Sequence, residues 1–341
     1  MGKATDIGNE IDNGEQEYEE LVPSRTVQFW TILVFQIPSL ACTIYLLCHL
    51  IFDKKLRKLL HNHVVIILLL LTFVINVIDN SLYLDAYRHQ GRSSFPPSPF
   101  VCLLWIYVDY GFYGAVTVFL AWASFERHIL IFHYHRFLRS KIKRILFHYL
   151  PLCLLLIYMI GFYLGILIFP PCENIFQYDL EVCGMEPCYE HVSWLNLWDY
   201  LINGTMCTLI EAICSVSLLV RVLHKRCRAH RSLRWKKHRK MTIQLLSISA
   251  LSLSITLPQT LITAVQQIVP GMDDFGSDVA PYFFYLTTYV VLFLPFVALA
   301  SFPELLPKLP NLRRRRQHVV VPFTVAPATV RKYSDVRRPH M

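Results

Sequence analysis

Charged side chains are scarce in this chain. Asp, Glu, Lys and Arg make up 17% of 341 residues, while apolar types make up 54%. Soluble globular chains carry about a quarter charged residues, so a water-exposed surface along the whole chain is excluded. The shortage is local. Thr26 to Phe52 holds no Asp, Glu, Lys or Arg, and neither does Leu59 to Ile78. Cys-x-x-Cys pairs with histidines at ligand spacing are also missing, which counts against a structural zinc site. No internal repeat is visible, and this argues against transporters built from duplicated halves.

What is present is a series of long apolar blocks. Besides those two, they run from about Phe100 to Leu130, Ile145 to Cys172, Leu195 to Val222, Met241 to Met272 and Val279 to Pro303. Crossing about 30 Å of hydrocarbon by helix takes roughly 20 residues, and each block is long enough. The expected fold class is therefore an all-α membrane bundle of seven transmembrane helices.

Orientation follows from the bias of Lys and Arg towards cytoplasmic loops. The loop after span one has Lys54, Lys55, Arg57 and Lys58, and the loop after span three has Arg136, Arg139, Lys141, Lys143 and Arg144. Ten basic residues lie between Arg221 and Lys240, with no acid among them. By contrast, Pro171 to Trp194 holds Glu173, Asp179, Glu181, Glu186 and Glu190 with no Lys or Arg. The first 25 residues hold seven acids and two bases, and the tail nine bases and two acids. These segments agree on an outside N-terminus and a cytoplasmic C-terminus. The expected organisation is an acidic extracellular segment (1–25), a seven-helix domain (26–303) and a basic cytoplasmic tail (304–341). Residues 1–25 lack the basic-then-apolar pattern of a signal peptide, so span one is expected to act as its own insertion signal. Myristoylation is not expected, since Asp6 stands where that motif needs Ser or Thr.

The ten cysteines divide by side. Cys42, Cys48, Cys153, Cys207 and Cys214 lie in apolar spans and Cys227 in a basic loop, as ordinary reduced residues. Cys102, Cys172, Cys183 and Cys188 fall on the outer side, where two disulfides have three possible connectivities.

Span three opens with Cys102 and closes with Glu126, Arg127 and His128. Together with Pro258 in span six and Pro295 in span seven, this pattern resembles the rhodopsin-like G-protein-coupled receptors, of a divergent, orphan type. Their third helix begins at a disulfide cysteine and ends in Asp/Glu-Arg-Tyr; here His128 replaces the Tyr. The resemblance covers about residues 26–303. The departures are large. Ile255-Thr256-Leu257-Pro258 lacks the aromatic toggle, and Leu294-Pro295-Phe296-Val297-Ala298 lacks the family's Asn and Tyr. Thr72 stands at the sodium-binding Asp, and span five has no proline, with Cys207 in its place. Val279 to Pro303 contains no lysine, which excludes a retinal Schiff base there.

The resemblance implies a receptor that binds an extracellular ligand and activates a heterotrimeric G protein, with no enzymatic activity and no cofactor or metal. It implies a bond from Cys102 to the long outer loop; Cys183 is preferred as partner, with Cys172 and Cys188 closing the loop on itself. It makes Glu126, Arg127 and His128 the G-protein switch and Pro258 and Pro295 helix kinks. Residue arithmetic adds a stripe. Asp109 and Arg127 are 18 residues apart, five turns or about 27 Å along one helix face, with Tyr113, Val116, Leu120 and Ser124 between.

Asp109, Asp79, Tyr113, Asp199, Gln259 and Tyr289 are the expected ligand-binding residues. A carboxylate beneath an acidic loop would attract a cationic amine or basic peptide. The competing reading is that these acids bond to Tyr, Asn or Arg88 neighbours. For Arg127 the plain alternative is snorkelling to the lipid headgroups. Glu211, mid-membrane in span five, reads as a proton-coupled switch or a locally hydrogen-bonded acid. Asn203-Gly204-Thr205 matches a glycosylation acceptor but falls within a span. The basic cytoplasmic face is expected to meet anionic lipid, and nucleic acid is not an expected partner. Two rival functions stay open: a channel or transporter, and a metal-dependent membrane hydrolase using His61, His63, His133 and His135.

Overall fold

The computed structural model describes residues 22–92, 98–132, 140–178, 181–184, 187–228, 233–272, 274–302 and 305. The acidic segment before Val22, the tail after 305, and His133, Arg136, His135 and Arg139 lie outside the described residues, as do the side chains of His61 and of 225–245.

Among the described residues, seven helices are long and apolar enough to cross a membrane. They are α1 (Arg25–Phe52), α2 (Asn62–Arg88), α3 (Pro99–Leu130), α4 (Lys141–Ile168), α5 (Ser193–Arg221), α6 (Leu246–Ile268) and α7 (Ala280–Ala300). α3 packs against α2, α4 and α5, α6 lies on α7, and α7 on α1. The outer surface is apolar: Trp30, Val34, Ile37, Ile157 and Ile213 are each more than half exposed. Such a surface is unfavourable in water and suited to hydrocarbon. The interior holds polar groups instead, with Ser39, Thr43, Asn62, Thr72, Asn76 and Asn80 fully buried. The chain is a multi-pass membrane protein.

α2 departs from the sequence boundaries. Its helix runs on ten residues past Ile78, through Asp79, Asp85 and Arg88, after a break in the helix at Ile78 (φ −99°, ψ −67°). Charge density ended the span too early in the sequence reading, because the inward face of a helix tolerates acids that the lipid face does not. Prolines do not stop the helices: α1 runs through Pro38, α6 through Pro258 and α7 through Pro295.

Three helices contain a π-helical stretch: Tyr107–Phe112 in α3, Ile145–Tyr149 in α4 and Trp198–Met206 in α5. Such turns widen the helix and are frequent at functional sites. Each carries a buried ionisable side chain, namely Asp109, His148 and Asp199. The stretch in α5 ends at Cys207, whose Sγ donates to the Ile202 carbonyl five residues back (3.3 Å). The regular 3.6-residue spacing from Asp109 to Arg127 therefore fails over its first turn.

Cys102 is bonded to Cys183 and Cys172 to Cys188, with Cα separations of 5.8 and 5.9 Å. The long loop they anchor shows no strand hairpin among its described residues, only short 3₁₀ turns at Glu181–Gly184 and Cys188–His191.

Candidate functional site

A cavity of about 1320 Å³ runs from the disulfide end into the bundle. Drug-sized ligands usually occupy roughly 300–1,000 Å³. From α3, Asp109, Tyr113, Val116 and Leu120 line it, so most of the α3 stripe faces one space despite the π turn. Ser124, the last member, is buried lower down, with its hydroxyl 3.4 Å from Ser215 and 3.3 Å from Ser249.

The acids differ in what they have available. Asp109 is 8% exposed and faces the cavity. Tyr83 donates to its Oδ2 over a long 3.5 Å. Asp199 also lines the cavity but is engaged at both oxygens. Tyr163 donates to Oδ1 at 2.7 Å, Asn203 Nδ2 to Oδ1 at 3.0 Å and Tyr189 to Oδ2 at 2.9 Å. That clasp joins α4, the disulfide loop and α5. Burial, reinforced by Asp199, pushes the loop's Tyr189 phenol above its ordinary value, so it remains a donor. Gln259 lines the cavity and accepts from Thr287 Oγ1 at 2.8 Å.

Two sequence candidates are placed elsewhere. Asp79 is fully buried and is not part of the cavity wall; it accepts from Trp105 Nε1 at 3.0 Å. The break at Ile78 starts a new half-helix at Asp79, whose carboxylate meets α3 while Tyr83 and Tyr87 of the same half-helix line the cavity. Tyr289 packs edge-on to Phe35 of α1 (centroids 6.2 Å) and hydrogen-bonds to Tyr285, which does line the cavity. Beyond Tyr113, the cavity has a tyrosine wall that the sequence did not single out: Tyr83, Tyr87, Tyr110, Tyr163 and Tyr285 come from α2, α3, α4 and α7. The i, i+4 spacing of Tyr83 and Tyr87 was the available signal.

Asn203 is 3% exposed, its amide oxygen accepting from Tyr158 at 2.8 Å, which leaves it inaccessible to glycosylation. Glu211 is 1% exposed, and among the described residues its Oε1 has no hydrogen-bond partner.

At the far end of α3, Glu126 and Arg127 are both 2% exposed, so the Arg127 guanidinium lies inside the bundle rather than among headgroups. The Glu126 carboxylate is hydrogen-bonded to Nδ1 of His148 on α4. His148 Nε2 is 2.9 Å from His63 Nδ1, and His63 Nε2 is 2.9 Å from the Arg57 carbonyl. His128 Nε2 reaches the Cys214 carbonyl of α5 at 2.8 Å. Nothing in the sequence reading pointed to His148, because its link to Glu126 is tertiary. Among the described residues no group of three His, Cys, Asp or Glu is placed to hold a metal ion.

No protein-family model and no curated protein sequence matches the chain. Among solved structures it is similar to the crystal structure of squid rhodopsin, with 14% identity, a TM-score of 0.63, and coverage of 84% of this chain and 85% of that one. That likeness concerns the backbone and agrees with the seven membrane-length helices: the chain has a rhodopsin-like seven-helix fold.

Proposed function

We propose that the protein is a plasma-membrane receptor that binds an extracellular ligand bearing a cationic group and activates a heterotrimeric G protein. The observation that carries this reading is the division of labour along α3: a cavity carboxylate, Asp109, near one end and the buried Glu126-Arg127 pair at the other. Among the described residues Asp109 holds a long hydrogen bond from Tyr83, and tyrosines line the cavity with it. A cation gains from both the carboxylate and the ring faces, by about 0.5–2 kcal/mol per ring. The cavity exceeds what a small amine fills, and α6 offers Gln259, Thr260, Thr263 and Gln266 to hydrogen-bond backbone amides. A basic peptide fits this lining better than a small amine. The disulfide end would face outside, where thiols oxidise, and the basic loops would meet anionic lipid and the G protein inside. The test is a panel of basic peptides and small amines applied to cells expressing the chain or Asp109→Asn. The reading expects a basic peptide to elicit nucleotide exchange and the variant to lose it. Equal responses in both would contradict the role of Asp109.

A further inference from the structure

Hydrogens can be counted along the chain of contacts from Glu126 to Arg57. A carbonyl oxygen only accepts, so His63 Nε2 must carry a hydrogen for the Arg57 carbonyl. A second hydrogen lies between His63 Nδ1 and His148 Nε2, and a third between His148 Nδ1 and the Glu126 carboxylate. Two neutral imidazoles and a carboxylate bring two hydrogens. The unit therefore holds one further proton, on a ring or on the carboxyl, and its net charge is zero. His148 is fully buried and Glu126 2% exposed, so water does not replace the bond between them. The charged and titratable groups that neighbour the unit in the chain are Arg127 on α3, Arg144 and Tyr149 on α4, and Asp53, Lys54, Lys55, Arg57 and Lys58 in the connection from α1 to α2. The Tyr149 ring packs on both imidazoles, with centroids 4.7 Å from His148 and 5.5 Å from His63.

We propose that His148, presented by the π-helical turn of α4, is a positioning residue that competes with Arg127 for the Glu126 carboxylate and so sets how firmly Arg127 is restrained. This inference rests on the reading of Arg127 as the residue released towards the G protein. With its proton in place, the His148–His63 pair balances the Glu126 charge. Without His148, a buried carboxylate has to find another cation, and Arg127 is its neighbour in the chain. Loss of His148 thus tightens the restraint on Arg127, and loss of the Glu126 charge makes His148 irrelevant to it.

The test is a cycle of the full-length chain, His148→Phe, Glu126→Gln and the double variant, in membranes with purified G protein. Basal nucleotide exchange and the thermal midpoint of the solubilised protein are both recorded. The expected result is a severalfold fall in exchange in His148→Phe, a rise in Glu126→Gln, and a double variant equal to Glu126→Gln alone. The midpoint should drop by several degrees in His148→Phe and much less when the same change is made in the Glu126→Gln background. An equal fall in exchange in both backgrounds, or none in either, would overturn the proposal. If no form, the unsubstituted chain included, drives exchange, the receptor reading fails and the midpoint cycle decides alone. Non-additive midpoints then uphold the Glu126–His148 tie, and additive ones overturn it.

Discussion

The Tyr83 hydroxyl stands 3.5 Å from Oδ2 of Asp109, at the outer limit of a hydrogen bond. The same carboxylate faces a wide cavity. A buried acid with so weak an internal partner can gain from a cation that enters, whereas one fully bonded within the protein cannot.

Asp109→Asn should therefore lower the potency of a cationic agonist by roughly ten- to hundredfold, the worth of a hydrogen bond to a charged group. Surface expression should change little. Concentration–response curves at matched expression make the comparison, and unchanged potency would remove Asp109 from the site.

Asp199→Ala should behave in the opposite way. Tyr163, Tyr189 and Asn203 all lose their acceptor, and each buried donor left unpaired costs about 1–3 kcal/mol. The expected outcome is a lower thermal midpoint and poor expression, well beyond the effect of Asp109→Asn. A stable Asp199→Ala chain would show that the clasp does not hold the loop.

A finer check lies at Gly114. A Cβ built there would come within 2.6 Å of the Tyr163 hydroxyl, and that hydroxyl is held by Asp199. Gly114→Ala should cost about 1–3 kcal/mol from overpacking. Tyr163→Phe, which removes the oxygen, should make the added methyl less damaging. Thermal midpoints of the two singles and the double give the answer.

The disulfides should rank by the chain they close. Replacing Cys172 and Cys188 by Ser opens a loop with a sequence separation of 16, at about 3 kcal/mol in the chain-entropy model. Replacing Cys102 and Cys183 frees a separation of 81 and should cost more, about 4–5 kcal/mol. Midpoints of the two paired variants test the order.

The seven helices were legible because an uncharged run of some twenty residues has few alternatives in water. Asp109, Tyr113, Asp199 and Gln259 were legible as cavity residues because the cost of burying polar groups among apolar ones turns them inward. What escaped the sequence depends on local helix geometry or on distant partners. The π-helical turns at Asp109, His148 and Asp199 leave no pattern at single-residue level. Nothing near Asp79 in sequence announced that Trp105, 26 positions away, would take its carboxylate. Tyr163 and Tyr189 reach Asp199 from two other segments, so its saturation could only be seen once the segments were packed.

The measurement that bears most directly on the receptor reading is nucleotide exchange across a panel of G proteins in cells expressing this chain, with Arg127→Ala beside it. The reading predicts basal or ligand-induced exchange that disappears in the variant at equal surface expression. Exchange that persists undiminished in Arg127→Ala would contradict it.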